Sequence, residues 1–364
     1  MKICFVLPNL AGGGAERVIV TLANELCKKY SISILIGNEI INDYEDLISK
    51  NIKIIYIAHN FKPGLINGLK FHYIVREIFN DFDIIHSNLT APNLLVSFSK
   101  LLSFNSKYKL ILTEHNNFKR RFEGFSGGLI KRVISYLYSF SDSITSVSKE
   151  LSSEIENEIN SNLVTIYNPI ELTKIKKSRN LPSILPKRKG IKRFINVGRL
   201  ISQKNQNLLI ESFKLYKSIN QYSELLIFGK GPLLEKLKNK IIDLDLEDSV
   251  FLMGFSENIY SELYNSDLFI LTSSWEGFGN VIIESMASRC RVLSLDCDFG
   301  PREIIKNNRN GFIVPLTSNP NFVAKKIDII ISNNLNIIEN AETFVEKFDI
   351  ENIAKEYVLL YKKN

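Results

Sequence analysis

The chain has 364 residues, 45% of them hydrophobic and 23% charged, with a net charge of +7. That length exceeds one comfortable core and predicts two domains, and the balance excludes a disordered or fibrous chain. A basic surface suits anionic partners, without choosing among nucleic acid, anionic lipid and phosphorylated substrates.

The chain opens on MKICFVLPNL. The apolar run 3–7 is too short for a secretory signal, and Pro8 ends it, so it reads as a buried strand. GGGAERVIVTLANELCKKY comes next, with Val18, Ile19, Leu22, Ala23 and Leu26 at helical spacing. This is a strand, a glycine-rich turn and a helix. Further strands are predicted over 31–37, 52–57, 83–88, 109–116, 143–148 and 162–169, with amphipathic stretches between them. Segment 171–192, ELTKIKKSRNLPSILPKRKGIK, is basic, holds two prolines and lacks steady periodicity; it reads as an interdomain linker. Strands resume over 193–200, 249–254, 267–274, 291–296 and 311–315, with a strand and turn over 224–232. Helices are predicted over 206–219 and 233–246, and a terminal helix closes the chain.

Alternating apolar strands and amphipathic helices imply mostly parallel sheets covered on both faces. The fold expected is α/β, with two Rossmann-like halves facing across a cleft. The domains expected are 1–175, 176–345 and a C-terminal helix, 346–364, returning to the first domain. Ligands in such sheets sit beyond the carboxyl ends of the strands. No stretch approaches the ~20 apolar residues of a membrane span. The four cysteines, Cys4, Cys27, Cys290 and Cys297, form no CxxC pair. They read as small buried hydrophobes in a reducing compartment, which predicts a cytoplasmic protein.

The stretch SSWEGFGNVIIESMA, 273–287, places Glu276 on a strand-to-helix loop and Glu284 about one turn inside the helix. Gly277 and Gly279 bare the backbone where a ligand could meet N–H groups at a helix start. Two carboxylates can accept hydrogen bonds from the paired hydroxyls of a sugar or a ribose. The plainer reading, with Glu276 capping the helix and Glu284 solvated, stands beside it on these residues alone. VGRLISQKN, 197–205, brings Gly198, Arg199 and Lys204 to a strand-end loop, where two cations suit a diphosphate. FGKGP, 228–232, puts Gly229 and Gly231 in a tight turn. AGGGAERV, 11–18, departs from a dinucleotide fingerprint because Arg17 stands where the third glycine belongs.

These motifs, with VFLMGF (250–255) and DFGPREIIKNNRNGFIVP (298–315), resemble in order the nucleotide-binding half of retaining glycosyltransferases of family four, which have the GT-B fold. AGGGAERV, TEHN (113–116), VSKEL (147–151) and IYNPI (166–170) extend the resemblance over nearly the whole chain. It implies that Arg199 and Lys204 clamp the donor diphosphate and that Glu284 binds the ribose. It implies that Glu276 holds the transferred sugar, with backbone at Phe278, Gly279 and Asn280. Gly229 and Gly231 belong to the same donor site. His115 of TEHN would face the donor sugar, and Gly13 and Gly14 would present N–H groups near phosphate and acceptor. The family retains anomeric configuration, with no cofactor and no metal. DCD (296–298) spells the metal motif of the other glycosyltransferase fold, but so do DFD (81–83) and DLD (243–245). His86 of IHSN reads as structural.

Segment 116–140 alternates Lys119, Arg120, Arg121, Lys131 and Arg132 with aromatic and aliphatic residues. That pattern suits an anionic membrane surface; no nucleic-acid module accompanies it. The expectation is transfer of a hexose or N-acetylhexosamine from a nucleotide sugar, UDP foremost. The acceptor would be a glycan or a polyprenyl-diphosphate-linked chain, in surface polysaccharide assembly at the cytoplasmic face of the inner membrane. A nucleotide-sugar epimerase, or a non-catalytic binding protein of the same fold, is the alternative.

Overall fold

The computed structural model describes residues 1–363 except 12, 38–42, 104–105, 116–126, 160, 257 and 334–336. The chain divides into two units, one of residues 1–170 with 348–364 and one of residues 171–347.

The first unit is built on seven parallel strands: β1 (Lys2–Leu7), β2 (Ser31–Ile36), β3 (Lys53–Tyr56), β4 (Ile84–Asn88), β5 (Lys109–Glu114), β6 (Ser143–Ser146) and β7 (Val164–Thr165). Their order is β3-β2-β1-β4-β5-β6-β7. The opening apolar run is β1, near the middle of this sheet, and every residue after Lys2 is buried. Helices cover both faces, so the inner strands have no solvated side: β1 reads as a continuous apolar run after Lys2, and the polar end of β4, His86, Ser87 and Asn88, is buried as well. The helix Gly14–Leu26 buries the five positions its spacing predicts, together with Val20.

The terminal helix Ile350–Lys362 belongs to this unit. Ile353, Ala354, Tyr357, Leu360 and Tyr361 pack into the same core as β1, β2 and the helix Gly14–Leu26. Backbone bonds stitch its start to residue 170: Ile170 donates to the Phe348 carbonyl at 2.8 Å, and Ile350 donates to that of Ile170 at 2.9 Å.

The second unit holds β8 (Lys192–Val197), β9 (Ser223–Phe228), β10 (Val250–Gly254), β11 (Leu268–Leu271), β12 (Val292–Asp296) and β13 (Phe312–Pro315). All are parallel, in the order β10-β9-β8-β11-β12-β13. The helix Gln206–Ile219 coincides with its predicted span.

The linker reading of 171–192 needs correction. A helix, Leu172–Ser178, opens it and buries Leu172 and Ile175. The chain beyond that helix is strapped to the second unit. Glu262 accepts from the Ile184 N–H at 2.6 Å and the Ser183 hydroxyl at 2.7 Å. The fully buried Arg193 donates to the Leu185 carbonyl and to Glu224, both at 2.6 Å. By packing, the units divide at 170/171 and 347/348, within a few residues of the expected 175/176 and 345/346. All four cysteines are free, and only Cys27 is less than buried.

Candidate active site

In an open parallel sheet the ligand crevice lies where strand order reverses. In the second unit that point is between β8 and β11, because β9 and β10 extend one way and β11 to β13 the other. The loops leaving β8 and β11 carry Arg199, Lys204 and Glu276.

These two loops are laced together. Lys204 Nζ donates to Glu276 Oε1 at 2.6 Å, with both side chains largely covered. Gln203 Nε2 donates to the Trp275 carbonyl at 2.8 Å, and the Ser274 N–H donates back to the Gln203 carbonyl at 2.8 Å. Thr272 Oγ1 donates to the Lys204 carbonyl at 3.0 Å. Four bonds thus fix a cation and a carboxylate side by side. The arrangement also answers the capping question. The helix Asn280–Ala287 has Gly279 at its N-cap, with no side-chain cap bond. Glu276 is engaged by Lys204 instead.

Gly279 sits at φ 92, in the left-handed region that suits glycine, and so turns the chain into that helix. Glu284 is buried in the helix, and Phe278 is buried just before it. The Glu276 N–H donates to the Asp298 carbonyl at 3.0 Å, which brings the loop after β12 alongside. Arg199 is exposed on the rim.

Gly229 follows β9 at φ 146, and a Cβ there would collide with the Gly198 carbonyl. A Cβ at Gly231 would collide with backbone at Leu200. Both glycines are therefore required by close backbone approach. The structure gathers Gly198, Arg199, Lys204, Gly229, Gly231, Glu276, Phe278, Gly279, Asn280 and Glu284 at one edge of one sheet.

The first unit reverses strand order between β1 and β4. Gly13 is the N-cap of the helix Gly14–Leu26 after β1, in extended backbone. His115 follows β5 and is buried, its Nε2 lying 3.2 Å from Asn88 Oδ1. Burial pushes its pKa down to about 4. His86 is fully buried, bonded through Nδ1 to the Tyr361 hydroxyl and through Nε2 to Thr113 Oγ1, each at 2.7 Å. Burial, then the neighbouring His115, lowers its pKa to about 3. His86 thus ties the terminal helix to the sheet. Glu114 is fully buried and accepts from Thr90 Oγ1 at 2.8 Å, from Asn93 Nδ2 at 2.9 Å and from the Tyr138 hydroxyl.

Of the basic residues assigned to a membrane or acceptor surface, Lys119, Arg120 and Arg121 lie outside the described residues. Lys131 pairs with Glu158, and Arg132 is exposed. Asn88, Glu114, Gln203 and Thr272 were not singled out by the sequence. Each is one polar residue at a strand end or in a loop, with no spacing to mark it.

Two Rossmann-like units in one chain, each a parallel sheet with its functional loops at the carboxyl edge, are the architecture of a GT-B glycosyltransferase. Residues 12–174 match the family described as Glycosyltransferase Family 4, and residues 177–347 match Glycosyl transferases group 1. Together these span most of the chain, which belongs to the family-four type of GT-B glycosyltransferases. An uncharacterised glycosyltransferase of Methanocaldococcus jannaschii is 32% identical over 244 residues, 64% of this chain and 59% of that protein. The N-acetylgalactosamine-N,N'-diacetylbacillosaminyl-diphospho-undecaprenol 4-alpha-N-acetylgalactosaminyltransferase of Campylobacter jejuni is 29% identical over 333 residues, 86% of each chain. The Anabaena protein HepE, solved with UDP and glucose, superposes over the full length of both chains with a TM-score of 0.81 at 20% identity.

Proposed function

We propose that this glycosyltransferase moves a hexose or N-acetylhexosamine from a UDP-sugar to a glycan or polyprenyl-diphosphate-linked acceptor in surface polysaccharide assembly, with retention of anomeric configuration. The observation that carries the reading is the Lys204–Glu276 pair at the switch point of the second sheet. Two relatives support the substrates: the Campylobacter jejuni enzyme is named for a diphospho-undecaprenol acceptor, and HepE is described with UDP and glucose.

In this reading Arg199 and Lys204 hold the diphosphate, and the start of the helix Asn280–Ala287 adds its positive end. Gly229 and Gly231 let the loop after β9 pack on the Gly198–Leu200 backbone and so shape the edge where the nucleoside lies, and Glu284 accepts from the ribose hydroxyls. Glu276 accepts from hydroxyls of the transferred sugar while Lys204 holds its carboxylate in place. The bond from the anomeric carbon to the diphosphate oxygen breaks, and the acceptor oxygen bonds that carbon on the same face. The acceptor proton passes to the departing diphosphate oxygen. Negative charge builds on that oxygen, where fixed cations stabilise the transition state. Glu276, paired with a cation, is an electrostatic and positioning group here rather than a covalent nucleophile. The leaving charge is met by Arg199, Lys204 and the helix start without a metal ion.

Contact with an anionic membrane surface belongs to the same proposal. The helix Leu65–Phe79 buries Gly68, Phe71, Val75 and Phe79. Its opposite face exposes Leu65, Ile66, Leu69 and Tyr73, with Lys62, Lys70 and Arg76 exposed nearby. Apolar anchors flanked by cations suit an anionic bilayer surface. Among the described residues no helix is long and apolar enough to cross a membrane.

Thermal stability with UDP, GDP, ADP, CMP and NAD tests the donor class, since a ligand of the folded state raises the melting point with its affinity. The proposal expects UDP to stabilise most. A larger shift with GDP or ADP would replace the donor, and binding without acceptor-dependent UDP release would favour a non-catalytic protein.

A further inference from the structure

Asn88 ends β4, beside the switch point of the first sheet, and is fully buried. Its Nδ2 donates to the His86 carbonyl at 3.1 Å. A carbonyl only accepts, so this bond decides which end of the amide is nitrogen. The other end, Oδ1, therefore faces His115 Nε2 at 3.2 Å. An amide oxygen also only accepts, so the proton of the neutral ring sits on Nε2. His115 Nδ1 is then a lone-pair acceptor. It is buried and has no partner among the described residues, an unmet bond that costs about 1–3 kcal/mol.

A second observation points to the same place. Leu89, the next residue, has φ 73 and ψ 146. A leucine in that conformation is strained by about 1–3 kcal/mol, and such strain gathers at functional sites. It is held there by bonds from its N–H to the Thr113 carbonyl at 3.1 Å and from the Asn93 N–H to its own carbonyl at 3.0 Å. Thr113 and Asn93 also adjoin or bind Glu114, the residue before His115. The strained turn, Asn88 and the end of β5 form one braced assembly.

The surroundings favour an uncharged ring. His86, the titratable neighbour on β4, is itself buried and bonded to Tyr361 and Thr113. The Glu114 carboxylate is taken up by Thr90, Asn93 and Tyr138. Tyr357 packs tilted and Tyr361 edge-on against His86 from the terminal helix. Among the described residues none forms an ion pair with His115, and burial holds its pKa near 4.

We propose that Asn88 is a positioning residue that locks His115 in the Nε2–H tautomer and so offers Nδ1 as acceptor for a sugar hydroxyl. This rests on the reading of His115 as a sugar-facing group, and Asn88 itself touches no substrate.

The tautomer is read directly by long-range proton–nitrogen NMR of the ring nitrogens in the full-length protein, with His115→Gln assigning the signal. The expected spectrum at pH 7 shows Nε2 protonated and Nδ1 as a bare lone pair. UDP-glucose or UDP-N-acetylglucosamine should move the Nδ1 signal toward a hydrogen-bonded value, and UDP alone should leave it in place. A ring protonated on Nδ1, or an Nδ1 signal that neither sugar nucleotide moves, overturns the proposal. Kinetics give an independent reading. Asn88→Asp keeps an acceptor at Nε2 but adds a charge that favours imidazolium, which turns Nδ1 into a donor. Its kcat should fall as pH drops from 8 to 6, while the wild-type profile stays flat over that range. Asn88→Leu should lower kcat about tenfold or more with UDP affinity changed less than twofold. Profiles and kcat equal to wild type in both variants would also overturn it. If Asn88→Leu fails to fold, the wild-type spectrum and the Asn88→Asp profile decide. Full activity in His115→Gln would remove the sugar-facing role of His115 itself, whatever tautomer the ring adopts.

Discussion

Lys204 and Glu276 meet at 2.6 Å although 72 residues separate them in the chain. One leaves β8 and the other leaves β11, the two strands that flank the reversal in the second sheet. The pair would be worth little if it were solvated. Here both partners are largely covered, and three bonds to backbone carbonyls, from the Gln203 and Thr272 side chains and the Ser274 N–H, set their spacing.

Removing either partner should therefore separate binding from chemistry. Glu276→Gln should lower kcat by about 100-fold or more while UDP affinity stays within a few-fold. Lys204→Ala should weaken UDP far more than uridine, since the lost cation serves the phosphates. Titration calorimetry with UDP and uridine, beside initial rates, checks both. Equal loss of binding and rate in Glu276→Gln would contradict the division.

Gly229→Ala should be costly, and Gly190→Ala should isolate one part of that cost. Both glycines have positive φ, but a Cβ at Gly190 meets nothing within 4 Å while one at Gly229 strikes the Gly198 carbonyl. Backbone strain alone is about 1–3 kcal/mol, and forcing two backbones apart adds about 1–3 kcal/mol. Denaturant unfolding should rank Gly229→Ala clearly below Gly190→Ala. UDP affinity should fall in the first variant only.

The buried histidines predict acid sensitivity. His86 and His115 titrate at about 3 and 4 in the folded chain, against 6.5 when unfolded. Burial lowers His59 and His72 as well. Below pH 6.5 the unfolded chain binds protons that the folded chain refuses, so stability is complete above that value and falls as pH drops toward 4. For each of His86 and His115 the slope is about 1.4 kcal/mol per pH unit in this window. Glu356, whose carboxyl is raised by burial, opposes the trend just above pH 4.5. Melting temperatures from pH 7.5 to 5 should decline, and the decline should be shallower in His115→Gln. A flat curve would mean that these rings are hydrated.

The exposed face of the helix Leu65–Phe79 gives a binding test. Leu65, Ile66 and Leu69 are 69%, 70% and 49% exposed, so changing all three to serine should leave stability nearly unchanged. Each such side chain gains about 1.5–3 kcal/mol when it leaves water completely. The triple variant should bind vesicles containing anionic lipid at least tenfold more weakly than wild type in a sedimentation assay. Unchanged sedimentation would take the membrane contact away from this helix.

The sheets were legible because strands buried on both faces spell short apolar runs, as β1 and β11 do. The helix Gln206–Ile219 was legible from its period. The helix Leu172–Ser178 was hidden because two buried residues in seven carry no period, and prolines soon follow. In the candidate site, loop membership could be read from the chain: Lys204 and Glu276 each follow a predicted strand. Their pairing could not, because it depends on which strands become neighbours. Asn88 was invisible for the same reason. Its meaning lies in the His86 carbonyl on one side and the His115 ring on the other, 27 residues away.

Retaining transfer from a UDP-sugar is read most directly from the anomeric proton of the product. Purified protein would be incubated with α-linked UDP-sugars and a lipid-linked or oligosaccharide acceptor, with and without chelator. Release of UDP and the proton spectrum of the product would then be followed in one tube. The expected result is acceptor-dependent UDP release, an α-linked product, no change on adding chelator, and loss of the signal in Glu276→Gln. A β-linked product, or sugar isomerisation without transfer, would contradict it.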